Sequence, residues 1–353
     1  MPYIIIFALA LAVMWLQSNG YEKKIGNHSL WVILYFGILF IFFAIRDNIG
    51  FDYPAYCKFI ETEYYRLYIY DRWEYLSYFL MDIAHTFANP QIFFIGIAGI
   101  ALPLYYAAFQ RYSRTPQEIM ISVLVFFALP IGFLYSLALS RQFVALGILL
   151  YATKYMLRRE FLKYAICAVV ASCFHAYSLV AILFYYVASS RVKIKQCIVM
   201  GILLTMAVYF GGPVLEVVFP VFAKYLTGRL NNVGGMTQIG MYGLIGVAIL
   251  YLYSYINIEK DKYEAWLKCY LLGLSMCFVF VPISPNIGIR CGMPGLMYVY
   301  LCAPRMLSIV SRFKYANLLR ICFVLLTFSL YMYGLCITEE GIYIPYKYKL
   351  LWN

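Results

Sequence analysis

The stretch HSLWVILYFGILFIFFAIRD, residues 28–47, decides the fold class. From Ser29 to Ile45 it contains no acidic or basic side chain, and Arg46 and Asp47 then follow directly. A helix of about 20 apolar residues is long enough to cross the roughly 30 Å hydrocarbon core of a bilayer. The stretch therefore predicts a membrane-spanning helix with a charged pair at its end.

The composition of the whole chain agrees with this interpretation. Of its 353 residues, 64% are hydrophobic and only 12% are charged, whereas about 25% of the residues of soluble domains are charged. Too few polar side chains are present to cover the surface of a soluble globule. A soluble fold is therefore excluded.

Apolar runs recur along the chain and predict about twelve crossings. They lie near residues 3–19, 28–45, 91–109, 119–138, 141–157, 161–174, 176–188, 197–210, 239–256, 263–282, 289–304 and 317–336. We predict an all-α fold, a polytopic membrane helix bundle with some short or re-entrant spans, which forms a single integral membrane domain over residues 1–353. Residues 46–88 form an outer-face loop and an interfacial helix within that domain. Residues 161–188 form two short helices broken at Phe174-His175, a place where binding sites are often built.

The loop charges predict the orientation of the bundle. When alternate loops are assigned to one side, that side carries the whole formal net charge of +12. Lys and Arg accumulate on the cytoplasmic side of membrane proteins, so this side is the inner one. Insertion into the lipid bilayer therefore accounts for the basic balance of the chain, and no nucleic acid partner is expected.

Several ionisable or strongly polar residues interrupt the apolar runs on the other side. Such groups at membrane depth are costly unless they are paired or hydrated, so each is a candidate functional residue. The candidates at or near the outer face are Arg46, Asp47, Arg141, Gln142, His175, Lys224, Arg229 and Arg290. Arg is permanently charged and donates two parallel hydrogen bonds, which suits a phosphate in a dehydrated site. Together these residues predict an outward-facing cationic pocket, for which a diphosphate is the best match in charge.

Each of the main candidates has a structural alternative. Arg141 has no acidic residue within a helical turn to neutralise it, which favours a functional role over contact with lipid headgroups. His175 is a candidate general base, because imidazole accepts a proton near neutral pH, or else a packed and hydrogen-bonded residue. Arg46 and Asp47 are candidate ligands or a snorkelling pair at a helix end. The glycines around Arg290 indicate room for a ligand to approach the backbone.

The segment RDNIGFDYPAY, residues 46–56, places a carboxylate and two phenols in a tight polar turn. Asp52 is a candidate acid/base group or ligand of a sugar hydroxyl. Tyr53 and Tyr56 are candidate sugar contacts, since aromatic faces pack against apolar ring faces and phenols bond hydroxyls. The alternative for these tyrosines is an interfacial aromatic belt.

Taken in order along the chain, the motifs form a combination that is more specific than any one of them. They are Arg46, Gly50, Asp52, Tyr53 and Tyr56, then Arg141, Gln142 and Ala145, then Phe174 and His175, then Arg290, and finally Ile344-Pro345-Tyr346-Lys347. This combination resembles the EpsG family of Wzy-like exopolysaccharide and O-antigen polymerases over essentially the whole chain. One departure is Tyr177, which stands where a Ser is expected, with Ser178 following it.

The resemblance implies a glycosyltransferase with GT-C-like architecture that needs no metal and no cofactor. Such a polymerase joins undecaprenyl-diphosphate-linked oligosaccharides, as donor and acceptor, at the outer or periplasmic side of the bacterial cytoplasmic (inner) membrane. We expect Arg141 and Arg290, helped by Arg46, to stabilise the leaving diphosphate. Asp52 or His175 would accept the proton of the attacking hydroxyl. A chain-length-regulating membrane protein is a further expected partner.

Other functions remain open from the sequence. A flippase or exporter of lipid-linked oligosaccharides would also need a cationic, aromatic cavity, but transport requires access from both faces. A membrane acyltransferase would usually need a His reachable from the cytoplasm, whereas His175 is predicted near the other side. An O-antigen-ligase-like glycan transferase is the closest alternative, because the sequence barely separates it from a polymerase.

Overall fold

The computed structural model describes residues 2–62, 73–129, 131–190, 192–210, 236–280, 285–310, 313–336 and 342–349. These residues are mostly helical, which confirms the all-α prediction. A short antiparallel hairpin joins the first two helices, with strand β1 (Lys24–Ile25) paired to strand β2 (His28–Ser29).

Helices occur at nearly all of the predicted spans. They are α1 (Pro2–Ser18), α2 (Leu30–Ala44), α3 (Tyr53–Thr62), α4 (Tyr75–Thr86), α5 (Gln91–Tyr112), α6 (Pro116–Ala128), α7 (Phe133–Ala138), α8 (Ser140–Leu157), α9 (Phe161–Ser172), α10 (Ala181–Ser189), α11 (Ile194–Phe210), α12 (Met236–Tyr253), α13 (Lys260–Phe280), α14 (Pro285–Leu296), α15 (Val299–Val310) and α16 (Ala316–Cys336). A 3-10 helix, Ala176–Val180, precedes α10. The break predicted at Phe174-His175 is therefore present, between α9 and this 3-10 helix.

Helix length distinguishes the helices that can cross a membrane from shorter apolar helices. Among the described residues, α5 and α16 are long and apolar enough to cross a membrane. A third crossing is formed if Gly288–Leu296 and Val299–Val310, which meet at a bend of 45°, act as one broken span. Several other apolar helices have only 10–17 residues. The described helices thus support a membrane protein, while the count of twelve crossings and the GT-C-like architecture stay predictions.

The predicted span at residues 119–138 is interrupted. Helix α6 ends before Leu129, and α7 begins again after Gly132. A Cβ atom on Gly132 would lie 2.8 Å from the carbonyl carbon of Phe126 and 3.1 Å from the carbonyl oxygen of Leu129. The chain folds back on its own backbone here, which a side chain would prevent.

The chain forms two compact units. The first comprises Met1–Tyr151, Cys167–Ala176 and Val310–Asn353, and the second comprises Ala152–Ile166 and Tyr177–Ile309.

Aromatic rings form the core of the first unit. The rings of Phe127 and Phe133 stack with their centroids 4.4 Å apart, and those of Phe7 and Tyr331 stack at 5.7 Å. Such contacts add to the large apolar area that aromatic side chains remove from solvent. They join α1, α6, α7 and α16, and so fix the helices from which the polar loops project.

The first unit also groups the ends of its helices as the charge pattern predicts. Gln117 donates to the hydroxyl of Ser18 at 3.2 Å, and Gln110 donates to the carbonyl oxygen of Asn27 at 3.3 Å. All four residues lie in or beside loops that the charge pattern assigns to the inner side. These loops therefore meet at one end of the helices.

Glycines bring α13 and α14 close together in the second unit. A Cβ atom on Gly273 would lie 2.6 Å from the carbonyl oxygen of Gly292 and 2.8 Å from the Cα atom of Gly295. The sequence indicates room for a ligand beside the glycines around Arg290. That interpretation is wrong for Gly292 and Gly295, because helix packing already occupies the space beside them.

We predict that Gly273→Ala destabilises the protein, because the added methyl group meets backbone atoms that have no room to move. Overpacking of this kind costs about 1–3 kcal/mol, which thermal unfolding in detergent micelles would detect as a lower Tm. Gly240→Ala is the matched control, since a Cβ atom there meets nothing within 4 Å. Equal Tm values for the two variants would contradict the close packing of α13 and α14.

Candidate functional site

The loop after α2 is held in place by backbone contacts. The side chain of Gln91 donates to the carbonyl oxygens of Ala44 and Arg46, the latter at 3.1 Å. Gly50 has a φ of +98°, and a Cβ atom there would contact the carbonyl oxygen of Leu137 and lie 2.8 Å from the Cα atom of Ala138. The loop therefore needs glycine both for its backbone conformation and for its close approach to α7.

The segment of residues 342–349 pairs with this loop along its length. The amide of Asp47 donates to the carbonyl oxygen of Lys347 at 3.0 Å, and the amide of Lys349 donates to that of Ile45 at 2.8 Å. The ring of Tyr346 stacks on Phe42 at 4.2 Å. The motif Ile344-Pro345-Tyr346-Lys347 thus lies against the first motif, although the two are far apart in sequence.

Arg46 is enclosed at the centre of this arrangement. It is 1% exposed, its Nη2 donates to the hydroxyl of Ser140 at 2.6 Å, and its guanidinium carbon lies 4.7 Å from the ring centroid of Phe94. Among the described residues, its Nε has no hydrogen-bond partner and no carboxylate forms an ion pair with it. Burial lowers the pKa of Arg46 to about 10, because the charged form loses hydration.

Asp47 bonds a tyrosine rather than Arg46. Its Oδ1 accepts a hydrogen bond from the hydroxyl of Tyr53 at 3.1 Å. Because Arg46 points into the protein, the two residues are not the snorkelling pair that was the structural alternative. Direct contact between Arg46 and a substrate would require the protein around its guanidinium to open, since the residue is 1% exposed.

The two tyrosines of the first motif pack against rings of α5. Tyr53 stacks on Phe94 with centroids 4.5 Å apart, and Tyr56 lies 5.0 Å from Phe93. These faces, which the sequence predicts as sugar contacts, are therefore covered on one side, and both side chains are buried. Burial raises the pKa of Tyr56, and nearby Asp52 raises it further, while Arg141 acts in the opposite direction.

Arg141 forms an ion pair with Glu74. Its Nη1 bonds Oε2 of Glu74, and its Nε donates to the hydroxyl of Tyr56 at 3.4 Å. As the sequence shows, no acidic residue lies within a turn of Arg141 on its own helix, and its ion-pair partner comes from another part of the fold. Glu74 lies 67 residues away in sequence, so the neighbours of Arg141 in sequence contain no sign of it.

Glu74 also bonds the turn that carries His175. Its Oε1 accepts from the amide of Ala176 at 3.0 Å, and Glu74 is only 4% exposed. Sequence reasoning missed this residue as a site component. The available signal was a carboxylate beside a mostly apolar stretch, where an unpaired charge would be costly.

Further hydrogen bonds fasten α4 to the same turn. The hydroxyl of Ser77 donates to the carbonyl oxygen of Phe174 at 2.8 Å, and the amide of Leu76 donates to that of Cys173 at 3.0 Å. His175 is 5% exposed, and its amide donates to the carbonyl oxygen of Ala171 at 3.0 Å. The break after α9 is therefore a well-connected turn, and His175 lies beside the residue that Glu74 bonds.

The first unit brings together most of the predicted site residues. They are Arg46, Asp47, Asp52, Tyr53, Tyr56, Arg141, Gln142 and His175. Asp52 is half-buried and Gln142 is buried. Arg290 is half-buried on α14 in the second unit, and Lys224 and Arg229 lie outside the described residues. In the described part of the chain, no three His, Cys, Asp or Glu side chains converge to hold a metal ion.

Comparison with known proteins gives one match. The model of the EpsG family matches residues 29–348, nearly the whole chain. The chain belongs to the EpsG family. The resemblance in the sequence is therefore confirmed, and membership supports, in broad terms, a polysaccharide polymerase of the glycosyltransferase type in a membrane. Neither the search of curated proteins nor that of solved structures found a match.

We predict that Gly50→Ala disrupts the first motif of this EpsG-family protein. The left-handed backbone is unfavourable for alanine, and the added Cβ atom meets the backbone of α7. Gly20→Ala is the matched control, because Gly20 also has a positive φ, +78°, with nothing within 4 Å of a Cβ atom. Gly50→Ala should lower the free energy of unfolding by about 1–3 kcal/mol more than the control. Equal unfolding curves would contradict the close approach.

We predict that Cys57 reports the side of the membrane on which α3 lies. Burial raises the pKa of Cys57 to about 11, and the thiolate is the reactive form. Labelling by a membrane-impermeant maleimide on intact spheroplasts should therefore be slow at pH 7 and accelerate about tenfold per pH unit up to near pH 10. Cys57→Ser should remove this label. Labelling that requires permeabilised membranes would contradict the outer placement.

Proposed function

We propose that the protein is a polysaccharide polymerase that joins undecaprenyl-diphosphate-linked oligosaccharide repeat units at the outer face of the bacterial cytoplasmic membrane, without a metal ion. The observation that carries the proposal is the Arg141–Glu74 pair, which lies beside the His175 turn in a chain of the EpsG family. It combines a cation for the leaving group with the turn that carries His175.

Arg141 is the principal ligand of the leaving diphosphate in this proposal. Its Nη1 and Nε are engaged by Glu74 and Tyr56, while its Nη2 takes part in neither contact. The side chain keeps 16% of its surface exposed. A fixed guanidinium of this kind stabilises the negative charge that grows on the diphosphate as the glycosidic bond breaks.

Arg290 and Arg46 are proposed to stabilise the negative charge of the leaving diphosphate in two different ways. Arg290 is assigned a second guanidinium for the diphosphate on the resemblance of its motif to the EpsG family alone. Arg46 acts from within the protein, since its hydrogen bond to Ser140 places a buried positive charge beside the residue that directly precedes Arg141. A charge in a medium of low dielectric constant acts over a longer distance than one in water.

The bonds change in one displacement step. The oxygen of the acceptor hydroxyl attacks the anomeric carbon of the donor, and a new carbon–oxygen bond forms. The bond from that carbon to the diphosphate oxygen breaks, and its electron pair leaves with the diphosphate. Asp52 or His175 accepts the hydroxyl proton. Both lie in the first unit, Asp52 half-buried and His175 almost fully buried.

The test is polymerisation by the purified protein in lipid nanodiscs with undecaprenyl-diphosphate-linked repeat units. We expect long glycans in the presence of EDTA, and their loss in Arg141→Ala and Arg290→Ala while both variants remain folded. Arg141→Ala should also lower the unfolding temperature, because it leaves the buried carboxylate of Glu74 without its ion-pair partner. Arg320→Ala is the control, because Arg320 is exposed on α16. A variant of Arg141 or Arg290 that keeps full activity would contradict its assignment.

The purified protein and cells that lack it together distinguish a polymerase from a ligase and from a flippase. Addition of a single repeat unit to an acceptor, without further growth, would instead identify a ligase-like glycan transferase. Cells that lack the protein and accumulate lipid-linked units on the inner leaflet would identify a flippase or exporter. The proposal requires that cells lacking the protein carry single-repeat glycans in place of long polymer.

A further inference from the structure

The structure assigns Glu74 as the positioning residue of the site, which holds Arg141 in the orientation that meets a diphosphate. This inference rests on the proposed function, because Arg141 is the group through which Glu74 acts. None of the sequence motifs includes Glu74. It lies at the junction of three separate parts of the chain: the start of α4, the start of α8 and the turn after α9.

Both carboxylate oxygens of Glu74 are engaged. Oε2 bonds Nη1 of Arg141, and Oε1 accepts from the amide of Ala176 at 3.0 Å. A carboxylate that accepts a bond at each oxygen is fixed in direction by both. In this arrangement Glu74 is an anchor for other groups rather than the acceptor of a substrate proton.

Glu74, together with Tyr56, determines which edge of the Arg141 guanidinium faces the diphosphate in the proposed site. Tyr56 contacts Nε of Arg141 at 3.4 Å, and its ring lies 5.6 Å from the guanidinium carbon. Glu74 and Tyr56 therefore hold the guanidinium plane at two of its three nitrogens, and the third, Nη2, takes part in neither contact. An Arg side chain has many rotamers, so this hold removes the orientations that are not productive.

Glu74 also connects Arg141 to the turn that carries His175. One oxygen fixes the cation of the site, and the other fixes the residue directly after the histidine. The bond from Ser77 to the carbonyl oxygen of Phe174 secures the other side of the same turn at 2.8 Å. Loss of the Glu74 charge would therefore release the cation while much of the histidine turn stays in place.

The experiment compares three variants of the full-length protein in nanodiscs, with lipid-linked repeat units as the probe. Glu74→Gln keeps the shape of the side chain and an acceptor for Ala176 but removes the charge that holds Arg141. We expect kcat to fall about 100-fold with KM changed less than about threefold, because a misplaced group acts mainly on the transition state. Glu74→Asp keeps the charge with a shorter reach and should recover part of the loss. Glu160→Gln is the matched control, since it removes the exposed Glu160–Lys163 ion pair, and it should leave kcat unchanged.

A double variant identifies Arg141 as the group through which Glu74 acts. Arg141→Lys alone should lower kcat because it removes the planar fork, and adding Glu74→Gln should lower it little further, as coupled residues are not additive. Additive losses, or an unchanged kcat in Glu74→Gln while Arg141→Ala is inactive, would overturn the assignment of Glu74 and leave the proposed function intact. Absence of polymer from the wild-type protein would overturn both. If Glu74→Gln fails to fold, Glu74→Asp in the same double-variant comparison decides the question.

Discussion

The ion pair between Arg141 and Glu74 is the interaction on which the arrangement of the site depends. Removing two charges from water carries a large free-energy penalty, which their attraction offsets only when further hydrogen bonds satisfy the remaining atoms. Here Tyr56 bonds the cation and the amide of Ala176 bonds the anion. Neither charge is stable at this depth without the other, so the start of α8, the start of α4 and the turn beside His175 must come together as one assembly.

Arg46 meets the same physical problem with a different solution. Its charge is enclosed by the rings of Phe43 and Phe94 and bonded by the hydroxyl of Ser140, with no carboxylate in ion-pair contact among the described residues. Aromatic faces attract a guanidinium through their quadrupole but do not cancel its charge. The two arginines therefore differ in their electrostatic role. The charge of Arg141 is balanced by a carboxylate and held in one orientation, whereas the charge of Arg46 is not balanced by an ion-pair partner among the described residues and contributes a positive potential inside the protein. Such a division suits the binding of an anion, because the oriented group supplies hydrogen bonds and the buried one supplies potential.

The sequence predicted the helices better than it predicted the partners within the site. Apolar runs located nearly every described helix, since membrane spans need a continuous apolar surface. They did not predict the interruption at Gly132, because it depends on a close backbone contact. They also did not predict the bend between α14 and α15. Arg46, Arg141 and His175 were predictable as polar residues in apolar surroundings. Glu74 was not predictable as the partner of Arg141, because the fold alone makes them neighbours.

The segment of residues 342–349 shows how far this dependence on the fold extends. The hydroxyl of Tyr3 donates to the carbonyl oxygen of Tyr343 across a separation of 340 residues, at 2.7 Å. The segment whose backbone pairs with Ile45 and Asp47, on either side of Arg46, is therefore held by a residue of α1. The entropic cost of bringing two distant parts of a chain together grows only slowly with the number of residues between them. Many small contacts along residues 342–349 are therefore enough to hold this segment against the first unit. Arg46, whose neighbours in sequence pair with this segment, is thereby linked to contacts spread over the whole first unit.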